Sequence, residues 1–195
     1  VIRIHNHPNT LFPTVTAVGL TLALAGTAGA SGALVTTRQV AWAESNIAWG
    51  EAEADLDTPL EAILPVLEDY AAYQEFMPNF RRSRVLAQRG TRARVYMEVS
   101  AAAGALTLWG QLDLRERSEP KATVIEAELL EGNIDAFLAE WRLIPSEDGS
   151  TTHVAFRIFV DPDLPLPSSL ISRENERAAR KSIEALRSHL ERKLP

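Results

Sequence analysis

From residue 45 onward, apolar and polar positions alternate with a period of two in most segments and with a helical period in only two places. Ser45–Asp55 alternates Ile47, Trp49, Ala52 and Ala54 against Glu51 and Glu53 and predicts a first strand. Asp57-Thr58-Pro59 then predicts a helix start, with Thr58 as cap, Pro59 at the first helical position and Glu61 completing a capping box. Leu60, Ile63, Leu64 and Leu67 form its apolar stripe, and Pro65 is expected to kink or shorten it. A second helical turn, Ala71–Phe76, ends at Met77-Pro78. The period of two returns in Phe80–Gln88 and Arg92–Ser100, joined at Arg89-Gly90-Thr91, and in Leu106–Glu116, Thr123–Leu130, Ile134–Ile144 and Thr151–Val160. After Pro162, Pro165 and Pro167, Ser168–Leu194 is a long amphipathic helix with Ala178, Ala179, Ile183, Leu186 and Leu190 on one face.

Strands at even spacing with turn residues between them predict an antiparallel meander, because βαβ units need a helix between successive strands. The expected class is α+β: a curved antiparallel sheet of about seven strands wrapped around the C-terminal helix, with two short helices after the first strand. The helix turns small residues (Asn175, Ala178, Ala179, Ser182) toward large apolar ones on the sheet (Leu108, Ile125, Phe137, Trp141, Phe156). Small residues opposite a curved sheet either leave volume or let the helix pack flush; the expectation taken is volume, since apolar concavities with few polar handles are where small molecules bind. These nine residues are the candidate ligand-binding set, with Asn175 or an inward arginine as polar handle. Phe76, Met77 and Phe80, on the corner before the second strand, are the candidate cavity mouth.

Residues 1–43 read differently. No Asp, Glu, Lys or Arg occurs from Ile4 to Thr37, and the apolar run Leu11–Ala25 precedes the small-residue segment Gly26–Ala33. With Arg3 ahead of it and an Ala28-Gly-Ala30 site behind it, the run has the form of an export signal. Left uncut, it is about the ~20 residues a membrane helix needs. The expected organisation is a signal or membrane anchor with linker over 1–43, a domain over 44–195, and an exported (periplasmic or secreted) or membrane-anchored protein.

Composition narrows the chemistry. There is no cysteine, which excludes disulfides, thiolate metal sites and cysteine nucleophiles. A net charge of −6 speaks against nucleic acid as partner. The charges are segregated: acids dominate from Glu44 to Glu75, while Arg81, Arg82, Arg84, Arg89, Arg92 and Arg94 follow with no acid among them. Arg81, Arg82 and Arg84 beside Phe76 and Phe80 are candidates to meet an anionic membrane surface or an acidic ligand, where each basic residue contributes about 1 kcal/mol.

No nucleophile elbow, phosphate loop, dinucleotide loop or zinc motif occurs, and no cofactor or metal is expected. His153 alternates with Val154 and Phe156 and faces away from the apolar side. His189, in the last turns of the final helix, where the helix dipole favours a cation, is read as a surface residue. Glu98, Arg142 and Arg157 would grip a ligand's polar end if they faced inward, although their strand positions favour solvent. Nothing sets an oligomeric state.

Asp69-Tyr70-Ala-Ala-Tyr73-Gln-Glu-Phe76-Met77-Pro78, Glu131-Gly132-Asn-Ile134 and Glu140-Trp141-Arg142-Leu143-Ile-Pro145 resemble the START-like (Bet v 1-like, SRPBCC) superfamily with its helix-grip fold. Within it they are most similar to the coenzyme Q-binding Coq10 and polyketide cyclase/dehydrase branch, over about residues 46–192. Gln74 stands where that branch often has proline. The resemblance implies a carrier of a hydrophobic small molecule (lipid, isoprenoid or quinone, or polyketide-like). The alternative it implies is a cyclase or dehydratase using the same cavity.

Overall fold

A computed structural model describes residues 34–101 and 104–193. Eight strands form one antiparallel sheet: β1 (Thr36–Trp42), β2 (Ser45–Leu56), β3 (Phe80–Arg89), β4 (Arg92–Ala101), β5 (Leu106–Glu119), β6 (Ala122–Gly132), β7 (Ala136–Pro145) and β8 (Thr152–Asp161). The spatial order is β1-β2-β8-β7-β6-β5-β4-β3. From β3 to β8 each strand pairs with the next, and β8 returns to pair with β2. Between β2 and β3 lie α1 (Leu60–Glu68), a 3₁₀ turn (Tyr70–Ala72) and α2 (Tyr73–Phe76), and the long helix α3 (Ser168–Lys193) follows β8. This is the helix-grip arrangement, with one strand more than the alternation predicts.

The additional strand is β1, inside the stretch read as linker. It pairs only with β2, and its half-exposed residues carry no clean alternation. Tertiary bonds hold it instead. Glu176 of α3 accepts hydrogen bonds from Thr37 Oγ1 (2.9 Å) and Gln39 Nε2 (2.8 Å), and Arg180 donates to Thr37 (3.1 Å). The apolar run Leu11–Ala25 lies outside the described residues.

The start of α1 corrects the capping expectation. Pro59, not Thr58, is the cap residue; it is extended (φ −67°, ψ 151°) and offers no side-chain bond. The Pro59 carbonyl accepts from Ala62 and Ile63 instead, and the Thr58 carbonyl accepts from Thr152 Oγ1 at 2.8 Å, tying the loop to β8. Pro65 does not end the helix, which runs on to Glu68. Ile63 and Leu67 are fully buried, each contributing about 1.5–3 kcal/mol relative to exposure.

Below α1, Glu68 meets Glu116 of β5. A hydrogen bond between the two carboxyls, then burial, then mutual repulsion push Glu68 from 4.5 up to about 7. A carboxyl with a raised folded pKa stabilises the fold in its protonated form. That contribution is complete below the unfolded value and disappears as pH rises toward 7. Glu68→Gln keeps a donor for Glu116 at every pH, so it is expected to melt above the wild type at pH 8 and level with it near pH 4. After allowance for its half-exposed position, the gain is about 1 kcal/mol. Thermal unfolding followed by circular dichroism across that range checks this, and parallel pH profiles for the two proteins would refute it.

Candidate functional site between the terminal helix and the sheet

α3 lies across β2, β8 and β1, at one side of the sheet. Its central stripe, Ala179, Ile183, Leu186 and Leu190, is buried against the sheet. Gly50 permits the approach: a Cβ there would fall 2.1 Å from the Asn175 carbonyl carbon. Asn175, 3% exposed, donates to the carbonyls of Ala48 (3.1 Å) and Val160 (3.4 Å). It therefore fastens α3 to β2 and β8, and its amide protons are already engaged.

One flank of α3 faces β1, as the Glu176 and Arg180 bonds establish. At 100° per residue, Ala178, Ser182, Ala185 and His189 fall roughly 60–120° around the helix on the opposite flank. That flank looks over β8 toward β7, β6 and β5. Ala178, Ser182 and Ala185 are partly exposed. The inner face of the sheet in front of them carries Ile158, Ala139, Phe137, Leu129 and Leu108, all apolar and all partly exposed. Beneath them the floor closes: Ile125, Trp141 and Phe156 are buried, and the Trp141 and Phe156 rings stack at 4.1 Å. Between them a partly uncovered apolar strip of sheet faces a small-residue flank of α3, and this strip is the candidate cleft.

The facing wall is the α2 corner. Burial raises the Tyr73 hydroxyl well above its ordinary pKa, and the hydroxyl donates to the Leu67 carbonyl (2.7 Å). Tyr73 meets Phe76 and Phe80 edge-on at 5.6 and 5.9 Å. Met77 is buried, and Asn79 takes a left-handed conformation (φ 64°), which asparagine tolerates better than most residues. Where the two walls meet, Phe76 stacks on His189 at 4.4 Å with 29° between the rings.

Ala178, Ser182, Leu108 and Phe137 of the predicted set thus border the cleft. Ile125, Trp141, Phe156 and Ala179 lie in the packed layer under it, and Asn175 is a structural fastener. Phe76 and Phe80, the expected mouth residues, are partly buried on the α2 corner, and Met77 is packed beneath them. The arginines divide: Arg82 and Arg84 pair across from Glu98 and Tyr96 on the outer face, with Arg82 3.4 Å from Glu98. Arg81 donates instead to Ser100 (3.1 Å) and to the Gly104 carbonyl (3.3 Å) of the β4–β5 turn.

His189 was misread. It is 7% exposed, not a surface residue. Burial first, then Lys193 and Arg192, hold its pKa below the ordinary value, against the weaker pull of Glu75 and Asp69. The signal that would have found it is its spacing of four from Ala185 and seven from Ser182.

Glu98, Arg142 and Arg157 all project from the outer face, opposite the cleft. There Arg38, Glu51, Glu53, Glu140, Arg142, His153 and Arg157 line an open groove of about 430 Å³. Its arginines are paired, Arg38 with Glu51 (2.6 Å), Arg157 with Glu140 (2.7 Å) and Arg142 with Glu119 (2.7 Å), and His153 shares a hydrogen bond with Asp55 (2.8 Å). Exposed pairs of this kind are screened by solvent and add little stability, and they leave the groove nearly neutral.

Residues 56–187 match the family model described as polyketide cyclase/dehydrase and lipid transport. The chain belongs to this family. The match bears out the START-like resemblance. Comparison with curated protein sequences finds no match. Among solved structures, the chain is similar to a STAR-related lipid transfer protein from Xanthomonas axonopodis (21% identity, 84% of this chain and 96% of that one, TM-score 0.71). It is also similar to human StAR-related lipid transfer protein 5 (12% identity, 86% and 90%, TM-score 0.71). A third relative is the ZhuI aromatase/cyclase from a Streptomyces species (18% identity, 82% and 97%, TM-score 0.53). At these identities the structural likeness is one of fold, and it covers nearly the whole of each relative.

Proposed function

We propose that this protein binds a hydrophobic small molecule, of lipid, isoprenoid or polyketide-like character, in the cleft between α3 and the inner face of the sheet, and carries it. The observation that supports this most directly is the apolar inner face at Leu108, Leu129, Phe137, Ala139 and Ile158, left partly uncovered opposite Ala178, Ser182 and Ala185. Each methylene buried there contributes about 0.8 kcal/mol. Two of the structural relatives are named as lipid transfer proteins.

Binding without chemistry is the preferred reading. The ZhuI relative is named as an aromatase/cyclase, but Glu98, Arg142 and Arg157, the charged residues that would grip a substrate's polar end from within, lie on the outer face here. The exposed Arg81, beside Phe80 at the rim, suits docking to an anionic membrane during loading. The apolar N-terminal run is the ground for placing the protein outside the cytoplasm or at the membrane.

Mass spectrometry of organic extracts from the full chain, purified under native conditions with its N-terminal segment intact, tests the proposal. The expected result is a lipophilic molecule in near-stoichiometric amount. A protein that extracts empty and fails to bind the neutral probe Nile red would overturn it.

A further inference from the structure

The cleft is apolar along its floor, yet one polar atom stands unanswered at its end. His189 Nε2 is buried and has no hydrogen-bond partner among the described residues. The ring belongs to the α3 flank that carries Ala178, Ser182 and Ala185, so it is the last residue of the cleft wall. Phe76 of the α2 corner covers one ring face at 4.4 Å. Buried polar atoms without partners are rare and costly in folded proteins. A stacked, buried imidazole with an unanswered nitrogen beside the apolar strip is a polar contact waiting for a ligand.

We infer that His189 Nε2 hydrogen-bonds the polar end of the bound molecule, and that this end is an uncharged hydroxyl. This rests on the proposed cleft and specifies what it selects. The charge balance argues for neutrality. Burial keeps the imidazole uncharged, reinforced by Lys193 and Arg192, while Glu75 and Asp69 act the other way. A carboxylate can only accept, so it would answer Nε2 in one tautomer alone and would give up its hydration at an apolar site. A hydroxyl both donates and accepts, so it satisfies Nε2 in either tautomer of the ring. The apolar remainder of the molecule then runs from His189 past Ala185 and Ser182, over Ile158 and Ala139, toward Phe137.

The test uses the full chain and three probes that displace Nile red: dodecanol, dodecane, which neither donates nor accepts, and dodecanoate. His189→Phe keeps the stack on Phe76 and is expected to lower the ratio of dodecanol to dodecane affinity about tenfold. His189→Leu serves as the second variant with the same expectation. The wild type is expected to bind dodecanol tighter than dodecanoate. In the wild type, the ¹⁵N resonance of His189 Nε2 is expected to move with dodecanol and to stay in place with dodecane, a response that a purely structural histidine would not give. A ratio that both variants leave unaltered, or tightest binding of dodecanoate by the wild type, overturns the role of His189 and leaves the cleft intact. Failure of Nile red and of all three probes to bind the wild type overturns both.

Discussion

Gly50→Ala is expected to abolish the cooperative fold or to reduce its stability by on the order of 4 kcal/mol or more, at the top of the range for single substitutions. The added methyl would sit 2.1 Å from the Asn175 carbonyl carbon, 2.2 Å from its oxygen and 2.3 Å from the Glu176 nitrogen. These are backbone atoms of α3, and they cannot rotate aside as a side chain can. The helix would have to lift, and its local fastenings would go with it. These are the Asn175 bonds to Ala48 and Val160 and the Ala48 amide donating to Ser172 Oγ (2.9 Å). A domain of this size has about 5–15 kcal/mol in total, so the loss removes most of the margin. Gly149→Ala is the control. Its Cβ would meet nothing within 4 Å, but φ is 72°, so only backbone strain of about 1 kcal/mol is expected. Urea unfolding of the two variants beside the wild type measures the difference. A Gly50→Ala protein as stable as Gly149→Ala would mean that α3 does not cross β2 at this point.

That crossing was only partly legible in the sequence. The six strands from Phe80 to Asp161 were readable because one face of each is buried and the other wet, which enforces a period of two. The central stripe of α3 was readable for the equivalent helical reason. β1 was not, because an edge strand held by Glu176 and Arg180 needs no apolar alternation. β1 also fixes the orientation of α3. Glu176 and Arg180 mark the flank of α3 that faces β1, and only once that flank is assigned does the opposite one, Ala178–Ser182–Ala185–His189, become the cleft wall. Without it, Ala179 and Asn175 looked as available to a ligand as Ala178 and Ser182. His189 was misassigned for a related reason. The helix dipole favours a cation in the last turn, but desolvation under Phe76 outweighs it, and that contact spans residues 113 positions apart.

Ser182→Trp is expected to lower affinity for a long-chain ligand roughly a hundredfold while leaving the melting temperature close to that of the wild type. Ser182 is partly exposed on the cleft flank of α3, beside a central stripe whose Ala179 and Ile183 are fully buried. An indole there extends over the apolar floor without entering the packed layer of Trp141 and Phe156, so the 1–3 kcal/mol typical of overpacking a core does not arise. What it occupies is ligand volume. Displacing about four methylenes of an occupant removes about 3 kcal/mol of burial, which corresponds to roughly a hundredfold in dissociation constant. Ala179→Trp makes the contrasting case: its side chain has no exposure, and the same substitution should destabilise the fold outright. Titration of both variants with Nile red, alongside thermal unfolding, separates a blocked cleft from a broken core. If Ser182→Trp binds as the wild type does, the ligand does not lie against this flank of α3. The paired-charge groove of the outer face would then have to be tested through Arg157 and Glu140.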